Sequence, residues 1–100
     1  MRLRFLPAAE ADVIREVACY TKNGRPGTAA RFQAAVEEAS RMALHHPLGG
    51  APSFMSTRAT KLKGFPFLLI YRPSTSEVLV VALAHTSKKV NYWASRLGHG

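Results

Sequence analysis

Two apolar runs in the second half of the chain limit its possible folds most: Phe67–Arg72, FLLIYR, and Val78–His85, VLVVALAH. Both are rich in branched and aromatic residues, and the breaker-rich stretch PSTSE, Pro73 to Glu77, joins them. That composition and so short a connection predict an antiparallel β-hairpin. An antiparallel strand with one wet face alternates apolar and polar residues. Neither run does so, because Phe67–Tyr71 and Val78–Ala84 are apolar on both faces. The fold must therefore cover this hairpin on two sides.

The first half offers cover for one side. Arg2-Leu3-Arg4-Phe5 alternates with period two and reads as a short half-buried strand. Pro7 suits a helix start, and Glu10 and Asp12 complement the dipole of that N-terminus. Val13, Ile14, Val17 and Tyr20 fall at helical spacing, and the breakers Asn23-Gly24-Arg25-Pro26-Gly27 end the helix near Lys22. Thr28 is the expected N-cap of a second helix. Phe32, Ala35, Val36, Ala39, Met42 and Ala43 make its apolar stripe, and Pro47 and Gly49-Gly50 end it. Thr57–Leu62 reads as a weak strand turned by Lys63-Gly64, and Tyr92–Leu97 as a terminal helical turn. The order β-α-α-β-β-β predicts an α+β fold, a helical hairpin packed on one face of a small antiparallel sheet. No third helix is available for the other face. Three occupants fit it: the chain's own loops and C-terminus, a second copy, or a foreign partner.

A length of 100 residues suits one domain, residues 1–100. The longest apolar stretch, Val78–Ala84, is too short to cross a bilayer, and charges interrupt the N-terminal MRLRFLPAAE, unlike a signal peptide. The expectation is a cytoplasmic protein with no membrane contact. Cys19 is alone, which excludes an internal disulfide and a thiolate zinc cluster. No metal or cofactor is expected. The net charge of +8 is concentrated in the second half, where Arg58, Lys61, Lys63, Arg72, Lys88, Lys89 and Arg96 face Glu77 alone. Such a surface attracts nucleic acid, an acidic protein, or both.

Taken in order, Arg58, Leu62, Gly64-Phe65-Pro66-Phe67, Ile70-Tyr71-Arg72, Ala84-His85, Tyr92-Trp93 and Arg96 resemble the pattern of toxins of the RelE/ParE superfamily. Ala30, Phe32, Val36-Glu37, Ala39, His46-Pro47 and Gly49 extend the likeness into the first half. The resemblance implies a RelE/ParE-like fold and the toxin half of a type II toxin–antitoxin module, with a cognate antitoxin as partner in a hetero-oligomer. It also implies one of two targets. ParE-like members inhibit DNA gyrase without being known as nucleases. RelE-like members cut mRNA on the ribosome. RelE-like toxins place an arginine about three residues before the tyrosine that Tyr71 resembles; here that position is Leu68. This departure ranks the gyrase inhibitor first, the ribosome-dependent endoribonuclease second, and an orphan nucleic-acid-binding module third.

The candidate residues follow from these readings. Arg58, Lys61, Lys63, Lys88 and Lys89 are the expected target-binding rim. For a nuclease, the acid, base and phosphate-binding roles fall to His85, Lys88, Tyr92 and Arg72. His85 has the alternative of capping the sheet end, Trp93 that of anchoring the C-terminus, and Arg72 that of a strand-end charge. Arg2 and Arg4 belong to the rim or guard a sheet edge. The adjacent His45 and His46 point apart on a helix end and make a poor metal pair.

Overall fold

The computed structural model describes residues 1–89 and 91–98. Strand β1 (Arg2–Phe5) leads into the helices α1 (Pro7–Lys22) and α2 (Pro26–His45). Strands β2 (Ala51–Pro52), β3 (Arg58–Lys61), β4 (Phe67–Pro73) and β5 (Glu77–His85) follow, and a 3₁₀ segment, Tyr92–Leu97, comes after them. The strands form one sheet in the order β1-β5-β4-β3-β2. The α+β architecture is the expected one, with two refinements. β1 runs parallel to β5, so the sheet is mixed rather than wholly antiparallel. A parallel neighbour needs a long crossover, and here everything from α1 to β4 supplies it. The two-residue β2 adds an edge strand beside β3.

The first face carries the helices. Ala29, Phe32, Val36, Ala39 and Ala43 bury the inner stripe of α2, and Ala9 does the same for α1. They meet Phe67, Leu69, Tyr71, Val78, Val80 and Leu83 from the hairpin. The rings of Phe65, Phe32, Phe67 and His85 form a chain with successive centroids 5.3, 5.3 and 5.0 Å apart. Helix α2 begins at Pro26, flanked by Arg25, and not at an N-cap Thr28. Proline's fixed φ is preorganised for the first helical position, and Thr28 instead accepts a hydrogen bond from Arg31 at 3.0 Å.

The second face is covered from within. Ile70, Leu79, Val81, Ala82 and Ala84 bury against Trp93, with Ala94 and Leu97 packed beside it. Of the three occupants the sequence left open, the C-terminus is the one that closes this face. The apolar strip on this side of the hairpin is therefore largely internal. A bulge makes the apolar run intelligible. Ile70 pairs with Ala82 and Tyr71 with Val80, leaving Val81 as the extra residue. Val81 and Ala82 both lie on the second face, and the alternation resumes in the opposite phase with Leu83 on the first.

Candidate functional site

Strand β1 accompanies β5 only as far as Val80, after which the chain turns into α1. The remaining half of β5 therefore has an open edge, and buried edge groups need partners. Asp12 and Arg96 supply them. The Leu83 backbone N–H donates to Asp12 Oδ2 at 3.0 Å, and Arg96 Nη1 donates to the Val81 carbonyl at 3.2 Å. The two side chains also grip each other, Arg96 Nη1 to Asp12 Oδ2 at 2.7 Å and Nη2 to Oδ1 at 3.1 Å. Arg15 adds a contact to Oδ1 at 2.8 Å. Burial by itself would raise the carboxyl pKa of Asp12, which is 1% exposed, but the hydrogen bonds from Arg96 and Leu83 and the Arg96 charge outweigh it and hold the pKa below its ordinary value. The pair ties α1, β5 and the C-terminal segment together, and it sets where that segment lies.

Beyond β5 the chain makes a tight turn. Thr86 N–H donates to the Pro66 carbonyl at 2.9 Å, and Lys88 N–H to the His85 carbonyl at 3.0 Å. The Ser87 N–H donates to His85 Nδ1 at 3.0 Å, and the Ser87 hydroxyl lies 2.7 Å from the same nitrogen. An Nδ1 that accepts a backbone N–H places the proton of the neutral ring on Nε2. The acceptor nitrogen of His85 is thus used by the turn, and Nε2 is left as a donor. Burial, and then the charge of Asp12, raise the Tyr92 phenol pKa, so this group also stays protonated. The Arg96 guanidinium sits 5.7 Å from the Tyr92 ring centroid, in cation–π range.

His85, Lys88 and Tyr92 stand between two depressions. One is a cleft of about 170 Å³ on the second face, floored by Ala59, Leu68, Ile70 and Ala84 and bounded by Lys88, Lys89, Asn91, Tyr92 and Trp93. The other opens toward Asp12, Arg15 and Glu16 on α1. Of the nuclease set, three residues gather and Arg72 does not. Phe67 is aligned with His85, whereas Arg72 is aligned with Leu79. Arg72 is five residues further along β4, roughly 17 Å at the rise of a strand. Leu68 lies beside Ala84 and Lys61 in the cleft floor, where it brings no charge.

The rim residues also divide. Lys61 and Lys63 flank the β3–β4 turn at the same end of the sheet as Lys88 and Lys89, and all four are exposed. Lys61 Nζ reaches the Phe65 carbonyl at 3.2 Å. Arg58 sits at the opposite end of β3 and ties down the loop after α2, donating to the carbonyls of Leu48 at 3.0 Å and Gly50 at 2.8 Å. Tyr71 serves the same loop: its hydroxyl donates to the Pro47 carbonyl at 2.9 Å and accepts the Gly50 N–H at 3.1 Å. Arg2 and Arg4 belong to the β1 edge, and Arg4 is engaged by both Glu77 oxygens at 3.1 and 2.8 Å. Trp93 is buried as an anchor. His45 and His46 are exposed at the end of α2.

Among the described residues, no group of three or more His, Cys, Asp or Glu side chains is placed to hold a metal, and no helix is long and apolar enough to cross a membrane. The sequence signal for Asp12 was present but easily misread. It falls three residues after Ala9, on the inward side of α1, where an acid signals a buried partner rather than a dipole contact. No protein-family model matches the sequence, and no curated protein matches it. Among solved structures, the fold is similar to that of a chain from the chromosomal ParDE TA system of P. aeruginosa. That match covers 85% of this chain and 95% of the other at 21% sequence identity, with a TM-score of 0.71.

Proposed function

We propose that this chain is the toxin component of a type II toxin–antitoxin pair, a ParE-like protein that acts in the cytoplasm by inhibiting DNA gyrase without cutting nucleic acid, and that a cognate antitoxin neutralises it. The observation that carries the reading is the likeness of fold to a chain of a ParDE TA system, over most of both chains. A likeness of fold does not choose a target, and the choice rests on the site. In-line RNA cleavage needs a base, an acid and a cation near one phosphate. Here Tyr92 is held protonated, the acceptor nitrogen of His85 is used by its own turn, and Arg72 lies at the far end of β4. The exposed Lys61, Lys63, Lys88 and Lys89 are then the groups that meet the target, while Arg58 supports the loop before β2.

The runner-up is a RelE-like, ribosome-dependent endoribonuclease. One observation favours it: His85, Lys88 and Tyr92 line a common depression. The two readings separate when purified protein is assayed in parallel for gyrase supercoiling and cleavage-complex formation, and for mRNA cleavage on programmed ribosomes. The proposed function predicts an effect on gyrase and intact mRNA. Ribosome-dependent cuts with gyrase unaffected would overturn it.

A further inference from the structure

Helix α1 carries apolar residues on its outer side as well as on its inner one. Ile14 is 61% exposed, and beside it Val13, Val17, Ala18 and Thr21 line an open, largely apolar depression of about 470 Å³. Residues four apart form a ridge on a helix surface. Here one ridge is Glu10-Ile14-Ala18-Lys22, and the depression is the groove between it and the ridge Val13-Val17-Thr21. The first ridge is complementary to itself. Glu16 is midway in sequence between Ile14 and Ala18, and also midway between Glu10 and Lys22. Turned end for end about that point, the ridge sets Ile14 opposite the small Ala18 and Glu10 opposite Lys22. Both charged residues are exposed, and neither forms an ion pair among the described residues. The distribution of charge favours the same face. Five of the six acids lie in the first half of the chain, so the helices are where two copies of net charge +8 approach with least repulsion.

From this we infer that two copies of the chain pair through α1, antiparallel about a two-fold axis at Glu16. Each ridge lies in the other copy's groove, with the helices crossing at roughly 50°, the angle at which ridges of this spacing interdigitate. Ile14 enters the depression over Ala18 and Thr21 of the partner subunit, and Glu10 meets Lys22 of the partner subunit. Because the contact is isologous, each interaction is made twice. Helix α1 is about 24 Å long at the rise of a helix. A single helix pair of that length buries less than the interface of a permanent dimer, so monomer and dimer exchange and the dimer fraction rises with concentration. The inference goes beyond the proposed function and does not depend on the target.

The test is sedimentation equilibrium of the whole chain over a concentration series, with thermal unfolding of each variant measured beside it. The wild-type chain should pass from monomer to dimer as concentration rises. Ile14→Arg, at an exposed position, should weaken self-association at least about tenfold without lowering Tm. Glu10→Lys and Lys22→Glu should each weaken it, and the two together should restore it, because the pair is remade with its signs exchanged. Register is read by cross-linking. With the exposed Cys19 replaced by serine, the Glu10→Cys, Lys22→Cys variant should give a covalent dimer on mild oxidation, and either single cysteine should not. Within one chain the two positions lie about 18 Å apart along the helix, beyond the reach of a disulfide. A chain that stays monomeric up to about 1 mM would overturn the inference and leave the face to a foreign protein. A dimer indifferent to Ile14→Arg, a double reversal no better than the single ones, or the absence of the cross-link would overturn it as well. None of these outcomes bears on gyrase.

Discussion

Replacing Asp12 by alanine should destabilise the protein by about 3 kcal/mol, the low end of what losing one member of a buried ion pair costs. The magnitude follows from what is left behind. The Leu83 N–H, buried at the open edge of β5, loses its acceptor, which alone costs roughly 1–3 kcal/mol. Arg96 loses its bidentate partner, but its side chain is 21% exposed and can turn part of its charge toward water. Arg15 is already 65% exposed and adds little. For a domain of this size about 3 kcal/mol corresponds to a fall in Tm of roughly 12–24 °C. Urea unfolding followed by the fluorescence of Trp93, the single tryptophan, reads both the global transition and the seating of the C-terminal segment. The pair also has a pH signature. The folded pKa of Asp12 lies below its ordinary value, so its contribution is fully present above about pH 4 and is lost as pH falls through the folded pKa. Asp12→Asn should flatten that acid limb. A loss below about 1 kcal/mol in Asp12→Ala, or no coupling between Asp12→Ala and Arg96→Ala in a double-mutant cycle, would refute the claim that this pair completes the sheet edge.

Phe67→Ala should cost roughly 3–5 kcal/mol by equilibrium unfolding, because the ring is buried between Phe32 and His85. Tyr71→Phe removes the hydroxyl that joins Pro47 to Gly50, and should cost about 1–3 kcal/mol with amide exchange speeding up at Gly50. The double change Lys88→Ala, Lys89→Ala should leave Tm nearly unchanged, since exposed lysines contribute a few tenths of a kcal/mol. It should weaken growth inhibition at equal expression; full toxicity would remove this turn from the functional surface.

The parts of the fold legible in the sequence were those set by local periodicity. The stripe of α2, save Met42, which is exposed, and the strand faces of Phe67 and Tyr71 follow from spacings of 3.6 and 2. The direction of β1 was not legible, because period two marks a strand without naming its neighbour, and the long crossover that makes it parallel to β5 has no local signature. The unbroken apolar run of β5 correctly demanded cover on both faces. What it could not reveal was that Val81 bulges and that Trp93 folds back to supply the cover. The same held for the site. Charge alone grouped Arg58 with the lysines, yet its register beside Tyr71 sends it to the loop carbonyls of Leu48 and Gly50. Arg72 follows Tyr71 in sequence, yet it is strand rise, not sequence proximity, that separates it from His85. Asp12 and Arg96 are 84 residues apart, and no pattern within either element links them.

The proposed action on gyrase rather than on ribosome-bound mRNA is decided by incubating purified protein with gyrase, ATP and relaxed plasmid, and scoring supercoiling and trapped double-strand breaks, beside a programmed-ribosome reaction at the same concentration. A gyrase inhibitor abolishes supercoiling or accumulates cleavage complexes and leaves the mRNA intact. Normal supercoiling together with cuts in the ribosomal mRNA would overturn the proposal.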